Sequence, residues 1–445
     1  MGAADVEAER KPGQGAAVGQ TLCPRNRSGD LVARPSQKPE GIEVNAISAD
    51  GEILIAIPVL LVGGTELHTL ALARALQSTG ARVRVCCYYE HAPAMVRAFE
   101  KSGVEVTLLR LERAAGLWHL FRVLYRFFKQ ARPSVVHVQY VAPGLMPVTA
   151  AWAAGICTIF ATVHQSGDRF GVRERMFFSV AARLCLAFFC VSRAVEDSWF
   201  GSSAVFSVES AAQGRRHFTI YNGVDTVASN DTSLAAASGE LKANLGLAGR
   251  RIVGVVGRLR VEKGHALLLN ALPLVLKAVP DATLLVVGDG PDREVLLAQA
   301  RALGVMPRIV WTGERSPEDV LALYGLMDVV AVPSRFEGFG LSAAEAMAAG
   351  RPVVGTRVGG LCELIEDGVT GYLISPEDST AFAAALIRVL RDPRDATIMG
   401  VRGHLRVSEK FSTERFAEAF VTAYRYFMKG GKCTGGATGR LPLVP

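Results

Sequence analysis

Between Asp328 and Gly371 the chain runs apolar strand, two-glycine turn, alanine-rich helix, apolar strand and glycine pair, an order few folds accommodate. The run Asp328-Val-Val-Ala-Val-Pro333 is short and rich in β-branched residues, as a buried strand requires. Glu337-Gly-Phe-Gly340 turns the chain, and Leu341 to Ala349 consists largely of strong helix formers. Gly350 closes that helix and Pro352 stops it. Pro352-Val-Val-Gly355 is a second strand, and Gly359-Gly360 a second turn. Strand–helix alternation of this kind predicts a doubly wound α/β sheet. A helix that opens on two glycines also has a chemical consequence. Unbonded amides from Phe339 to Ser342 face outward, where the helix dipole favours an anion. Glycines at 338 and 340 let a bulky anion approach the backbone. Glu337 and Glu345 frame the turn; carboxylates are poor phosphate ligands but good acceptors for sugar hydroxyls. The parts suit a phosphate between two polyols, which describes a nucleotide sugar.

At 445 residues, half of them hydrophobic and a fifth charged, the chain is globular and too long for one ordinary core. Its net charge of +7 is unevenly spread. Residues 51–228 hold 18 Lys/Arg against 12 Asp/Glu, residues 229–445 hold 25 against 23, and the first fifty hold 6 against 7. That distribution argues against a uniformly basic nucleic-acid binder and for a basic patch facing an anionic surface or acceptor. The eight cysteines make no C-x-x-C pair and no Cys/His cluster of zinc spacing, so no metal site is expected. Most lie in apolar runs, where cysteine acts as a small hydrophobe, and a reducing, cytoplasmic setting is the simplest inference. Residues 1–50 lack both periodicity and an apolar core, and are expected to be a disordered tail rather than a signal peptide.

Order is expected to begin at Glu52–Ile57, a buried strand that leads into Gly63-Gly64-Thr65-Glu66 and a helix to about Ser78. This βαβ opening lacks G-x-G-x-x-G, so a nicotinamide fingerprint is not supported. No charged side chain occurs between Pro133 and Val163, a length that would span a membrane. Pro143, Gly144, Pro147 and Gly155 instead divide it into strand (134–139), helix (145–154) and strand (157–163), since buried parallel strands read as continuous apolar runs. His164 then stands at a strand's C-terminal end, where open α/β sheets bind ligands. After the strand Arg251–Val256, Arg258 and Lys263 hold the equivalent place, two cations able to neutralise a diphosphate. Residues 226–240 have linker composition. The span Ala114 to Gln130 places His119, Arg122, Arg126 and Lys129 on one helical stripe, with Trp118, Phe121, Tyr125, Phe127 and Phe128 over much of the rest. Such a helix lies either in a membrane interface or on the sheet with its basic side in water.

Glu337 and Glu345 fall inside EGFGLSAAEAMAAGRPVV, which closely resembles the signature of the retaining glycosyltransferases of family four. GRLRVEKG (257–264) resembles the family's phosphate-binding GRxxxxKG, and TVHQSGD (162–168) its TxHD segment with Gln165 in place of the Asp. GGTE (63–66) is similar to its GGxE turn, and Asn222-Gly-Val-Asp225 to the element that ends its first domain. The resemblance covers about residues 52–428 and implies the GT-B fold, two Rossmann-like doubly wound domains facing across a cleft. The expected division is residues 51–228 on the acceptor side, 229–411 on the nucleotide-sugar side, a helix over 412–429 crossing back to the first domain, and a disordered tail from 430.

By the same resemblance the chain is expected to be a retaining, metal-independent enzyme that moves a hexose from a nucleoside diphosphate sugar to a lipid-linked acceptor or growing polysaccharide. The nucleotide sugar is a co-substrate, and no cofactor or nucleic-acid partner is implied. His164, Glu337, Arg258 and Lys263 are the expected catalytic residues. The donor is expected on Gly63, Gly64, Arg258, Lys263, Glu337, Gly338, Phe339, Gly340, Leu341 and Glu345. Glu337 would hold hydroxyls of the transferred sugar, Glu345 the ribose, and His164 would orient the sugar. A peripheral contact between residues 114–130 and an anionic membrane is the further expectation. The alternatives are a nucleotide-sugar 2-epimerase of the same fold and a non-catalytic nucleotide-sugar-binding partner.

Overall fold

The structure, a computed structural model, describes residues 51–139, 145–226 and 241–430. The expected N-terminal tail, the linker from 227 and the C-terminal tail from 431 lie outside these residues. Two parallel sheets form the frame. The first contains β1 (Glu52–Ile57), β2 (Arg82–Cys87), β3 (Glu105–Leu108), β4 (Val135–Gln139), β5 (Ile159–Val163), β6 (Ala187–Cys190) and β7 (His217–Thr219). Their spatial order is β3-β2-β1-β4-β5-β6-β7. The second contains β8 (Arg251–Val256), β9 (Ala282–Val287), β10 (Ile309–Trp311), β11 (Val329–Val332), β12 (Val353–Thr356) and β13 (Gly371–Ile374), in the order β10-β9-β8-β11-β12-β13. In each sheet the chain winds outward one way and then returns to the centre to wind the other way. The crevice left at the strand ends, between β1 and β4 and between β8 and β11, is where such sheets take ligands.

The central strands are largely apolar because helices cover both faces. Leu54 and Ala56 point into one core while Ile53, Ile55 and Ile57 point into the other, the period of two at work. Register follows: Ile53 lies opposite Val83 on one side and Val135 on the other. The uncharged stretch from 133 resolves into strand, helix (Leu145–Ala153) and strand. Among the described residues, no helix is long and apolar enough to cross a membrane.

On one face of the first sheet the helices Gly116–Ala131, Leu145–Ala153 and Val172–Leu184 pack in succession. The first of them buries Leu120, Leu124 and Phe128, one ridge at i, i+4 and i+8. Phe128 is therefore core and not part of an outward aromatic face, which corrects the sequence reading; His119, Arg122, Arg126 and Lys129 are exposed. On the opposite face, helix Gly64–Gln77 packs against the C-terminal helix Thr413–Gly430. That last helix returns from the second sheet through a bridge between Val224 and Ser412, burying Phe416, Phe420, Tyr424 and Phe427 along one ridge.

Cys86, Cys87, Cys185 and Cys190 are buried thiols, and burial pushes Cys87 up to about 11. Cys362 is disulfide-bonded, so the picture of cysteines as small hydrophobes does not extend to it.

The C-terminal helix is also tied by polar contacts. His137, fully buried on β4, shares hydrogen bonds with Tyr424 Oη at 2.6 Å and Thr162 Oγ1 at 2.7 Å. Burial holds its imidazole well below the usual value, so one ring nitrogen donates and the other accepts. Tyr424→Phe keeps the ring packing but leaves a buried nitrogen without its partner. We expect a loss of about 1–3 kcal/mol in equilibrium urea unfolding, and a double variant with His137→Phe should recover part of it.

Candidate functional site

The ends of β8 and β11, neighbours in the second sheet, carry the charged groups. After β8 the chain passes Arg258, which is exposed, and a short 3-10 turn ending at the half-buried Lys263. After β11 it passes Ser334 and reaches Glu337. Lys263 Nζ donates to Glu337 Oε2 at 2.7 Å, and Ser334 Oγ donates to the same oxygen at 3.1 Å. The Glu337 side chain is only 11% exposed, so this pair lies in the wall of the crevice rather than on the rim.

Gly340 caps the helix Leu341–Ala348 with φ +105°, a conformation that side chains rarely adopt. The bond from Ala344 N to Gly340 O is the first of that helix, so the amides of its opening turn, Leu341 to Ala343, have no carbonyl within the helix to bond. The helix starts at Leu341 as the sequence indicated, but its free amides run from Leu341 to Ala343, not from Phe339 to Ser342. Phe339 contributes a buried ring beside Tyr221 and Phe411.

The first domain meets this turn directly. A methyl group on Gly338 would lie 2.2 Å from the carbonyl oxygen of His164, and one on Gly64 would lie 3.0 Å from Leu341 Cδ1. Gly63 caps the helix Gly64–Gln77, with Glu66 folded back beside it. Burial raises the Glu66 carboxyl, opposed by the amides of Glu66 and Leu61 and by Arg258, so Arg258 acts electrostatically between the domains.

His164 is half-buried; its Nε2 lies 2.7 Å from Gln139 Oε1, and its ring stands edge-on to His68 with centroids 4.7 Å apart. His68 Nδ1 is 2.8 Å from Asn222 Oδ1. Burial pushes His68 down to about 4 and holds His164 well below its usual value, with His68 and His137 adding to the effect on His164. Both rings are neutral at physiological pH. At Gln165, the departure from the family pattern, the main-chain carbonyl accepts from Trp199 Nε1 at 2.8 Å, a bond that does not depend on the side chain.

The structure thus gathers Gly63, Gly64, His164, Arg258, Lys263, Glu337, Gly338 and Leu341 at facing strand ends. Glu345 lies further along its helix. Tyr324 Oη is 2.9 Å from Glu345 Oε2 and 3.1 Å from Ser342 O. Burial lifts the Glu345 carboxyl to about 7 against the opposing pull of that hydrogen bond.

Tyr324, Gln139 and Glu363 lie at or beside the site and were not singled out by the sequence, which named Glu66 only as part of the GGTE turn. Glu363 belongs to the second domain, yet its carboxylate accepts from Arg193 N at 3.1 Å, Ala194 N at 3.0 Å and Tyr221 Oη at 2.8 Å. It caps the first-domain helix Arg193–Phe200, whose own cap Ser192 takes only Val195 N. A cavity of about 460 Å³ opens at the opposite strand ends, beside Arg251, Asp328 and Arg351, and contains none of the residues gathered above.

Glu345 gives a pH-dependent expectation. Its carboxyl titrates near 7 when folded and near 4.5 when unfolded. Between those values the folded chain keeps a proton the unfolded chain has lost, so the contribution of this group to stability falls as pH rises from 4.5 to 7 and then levels. The buried histidines, held below their usual value, pull the other way, so the Glu345 share is read by difference: calorimetry should show the wild type losing stability relative to Glu345→Gln between pH 5 and pH 7.5.

Residues 238–405 match the family described as Glycosyl transferases group 1, and residues 62–227 match Glycosyltransferase Family 4. The D-inositol 3-phosphate glycosyltransferase of Segniliparus rotundus is 36% identical over 195 residues, 43% of this chain and 43% of that protein. The GDP-mannose-dependent alpha-(1-6)-phosphatidylinositol monomannoside mannosyltransferase of Mycolicibacterium smegmatis is 38% identical over 174 residues, 38% of this chain and 46% of that protein. The matches span less than half the length of these curated relatives. Among solved structures, Anabaena HepE in complex with UDP-glucose superposes with a TM-score of 0.71 at 23% identity, over 84% of this chain and 99% of that one. WaaG, a glycosyltransferase involved in lipopolysaccharide biosynthesis, superposes with 0.65 at 16%, over 86% and 100%. At such identities the likeness concerns the fold.

Proposed function

The chain belongs to the family 4 glycosyltransferases, and we propose that it moves a hexose from a nucleoside diphosphate sugar to an acceptor hydroxyl with retention at the anomeric carbon. The observation that carries this reading is the convergence of two cations, Arg258 and Lys263, with the opening amides of the helix Leu341–Ala348 at one switch point, facing His164. HepE, solved with UDP-glucose, and the curated mannosyltransferase named for GDP-mannose support a nucleotide-sugar donor.

The chemistry follows from where charge develops. The bond between the anomeric carbon and the diphosphate oxygen breaks, and its electrons leave with the diphosphate. The acceptor oxygen bonds to the anomeric carbon and gives up its proton. Negative charge therefore grows on the phosphate side, where Arg258, Lys263 and the amides act without reorganising. Lys263 already holds Glu337, so one ammonium serves two tasks: it orients the carboxylate for sugar hydroxyls and offers its remaining hydrogens to phosphate oxygens. Glu345, protonated or ionised near neutral pH, receives the ribose, and neutral His164 orients the hexose without opposing the positive charge the sugar develops.

Metal independence is part of the proposal, because protein cations carry the phosphate charge. So is a membrane-proximal acceptor, with residues 114–130 as peripheral contact to anionic lipid.

Donor hydrolysis across UDP-, GDP- and ADP-sugars, with and without EDTA, tests the reading. One donor should be consumed, with EDTA making no difference. Lys263→Ala and Arg258→Ala should each lower turnover by on the order of 10²-fold or more while the melting temperature changes little. Normal turnover in both variants removes the clamp from the mechanism, and a strict Mn²⁺ or Mg²⁺ requirement removes metal independence.

A further inference from the structure

The three helices that cover one face of the first sheet present an outward side of unusual chemistry. Helix Gly116–Ala131 turns Leu120, Leu124 and Phe128 inward and leaves Trp118 70% exposed, stacked on Phe121 at 5.1 Å. Its neighbour Leu145–Ala153 leaves Trp152 59% exposed. The third, Val172–Leu184, buries Phe178, Ala181 and Ala182 and puts Val172, Met176 and Phe177 in water. The helices adjoin in that order, so these side chains share one face. The outer side of a helix layer is ordinarily its polar side. Here it displays two of the chain's four tryptophans.

Its charge is of one sign. The three helices carry six basic residues, Arg122, Arg126, Lys129, Arg173, Arg175 and Arg183, against a single acid, Glu174. Arg175 is engaged with Asp168 and the Trp199 ring, and the other five are exposed. Single-signed charge calls for an anionic partner, and apolar tips spread over three helices call for hydrocarbon over a wide footprint. An anionic bilayer supplies both.

We propose that this three-helix face docks flat on an anionic lipid bilayer, with the apolar tips entering the headgroup boundary and the five cations meeting lipid phosphates. It rests on the peripheral contact proposed for residues 114–130 and extends it to two helices that no sequence pattern indicated. The extension has an orientation. The helices starting at Gly116 and Val172 follow β3 and β5, so their first turns lie at the same edge of the sheet as His164. Trp118, Val172, Met176 and Phe177 are in those first turns or just beyond, at the edge onto which the crevice opens. An acceptor anchored in the bilayer reaches the crevice from the side, without leaving the lipid.

The test uses the full chain floated with vesicles of phosphatidylcholine alone or with three-tenths phosphatidylglycerol, at 50 and 500 mM NaCl. The expected result is recovery with the anionic vesicles at low salt, at least about tenfold less at high salt, and little recovery with phosphatidylcholine. Tryptophan emission should shift to the blue on binding, and the double change Trp118→Phe/Trp152→Phe should remove that shift. Met176→Glu/Phe177→Glu should weaken binding at least about tenfold with the melting temperature and donor hydrolysis unchanged. Absence of flotation overturns the proposal. So does flotation indifferent to Met176→Glu/Phe177→Glu, which confines the contact to one helix. A lipid-free dimer that blue-shifts the same emission in sedimentation experiments makes a second copy the occupant instead. Vesicle binding without hydrolysis of any donor leaves the docking face standing and overturns the transferase reading.

Discussion

No side chain fits between residue 338 and the carbonyl of His164; even a methyl group would sit 2.2 Å from that oxygen. The turn after β11 is therefore pressed backbone-first against the end of β5, and the two switch points face each other across a narrow gap. From behind, Gly359 is packed against the carbonyl of Glu337 with equally little room. Held on both sides by backbone, the turn has little freedom to move its carboxylate, and the Lys263–Glu337 pair inherits that rigidity. The same contact brings Arg258 within electrostatic reach of Glu66 and sets Leu341 against Gly64.

Burial decides most of the local electrostatics. Glu345 gains a hydrogen bond from Tyr324, yet desolvation wins and its carboxyl rises to about 7. Glu66 has two amides and a guanidinium in its favour and is still raised. His68, His137 and His164 are all pushed toward neutrality. The outcome is a crevice whose positive charge comes from Lys263 and Arg258, while the surrounding imidazoles contribute shape and hydrogen bonds. A binding site for an anionic leaving group gains from that division, because fixed cations need no proton uptake to act.

Much of the frame was legible in the sequence. β1, β8 and β11 are continuous apolar runs ending in glycine or proline, and parallel strands buried on both faces have little other way to be written. The stretch from Asp328 to Gly371 was legible for the same reason: its glycines, carboxylates and strand lie within a few dozen residues. What escaped were partnerships across long sequence separation. Tyr324 meets Glu345 from 21 positions away, and Glu363 meets Arg193 from 170. No local periodicity announces such contacts. The helix at 116–131 is a different case. With aromatics on most sides, its composition does not reveal which ridge faces the sheet; the sequence left both placements open, and the structure puts Phe128 in the core.

The Glu363 contact bears on how readily the two domains part. Separating the domains strips the Arg193 and Ala194 amides and the Tyr221 hydroxyl of one shared acceptor. Water replaces that acceptor at each donor, so each exchange costs only about 1 kcal/mol. Over three donors that amounts to roughly 3 kcal/mol, one contribution beside the ring contacts of Tyr221 with Phe339 and Phe411 at the same seam. The contact is therefore of a kind that solvent can take over donor by donor, unlike the aromatic packing of the C-terminal helix, which parts only by exposing hydrocarbon.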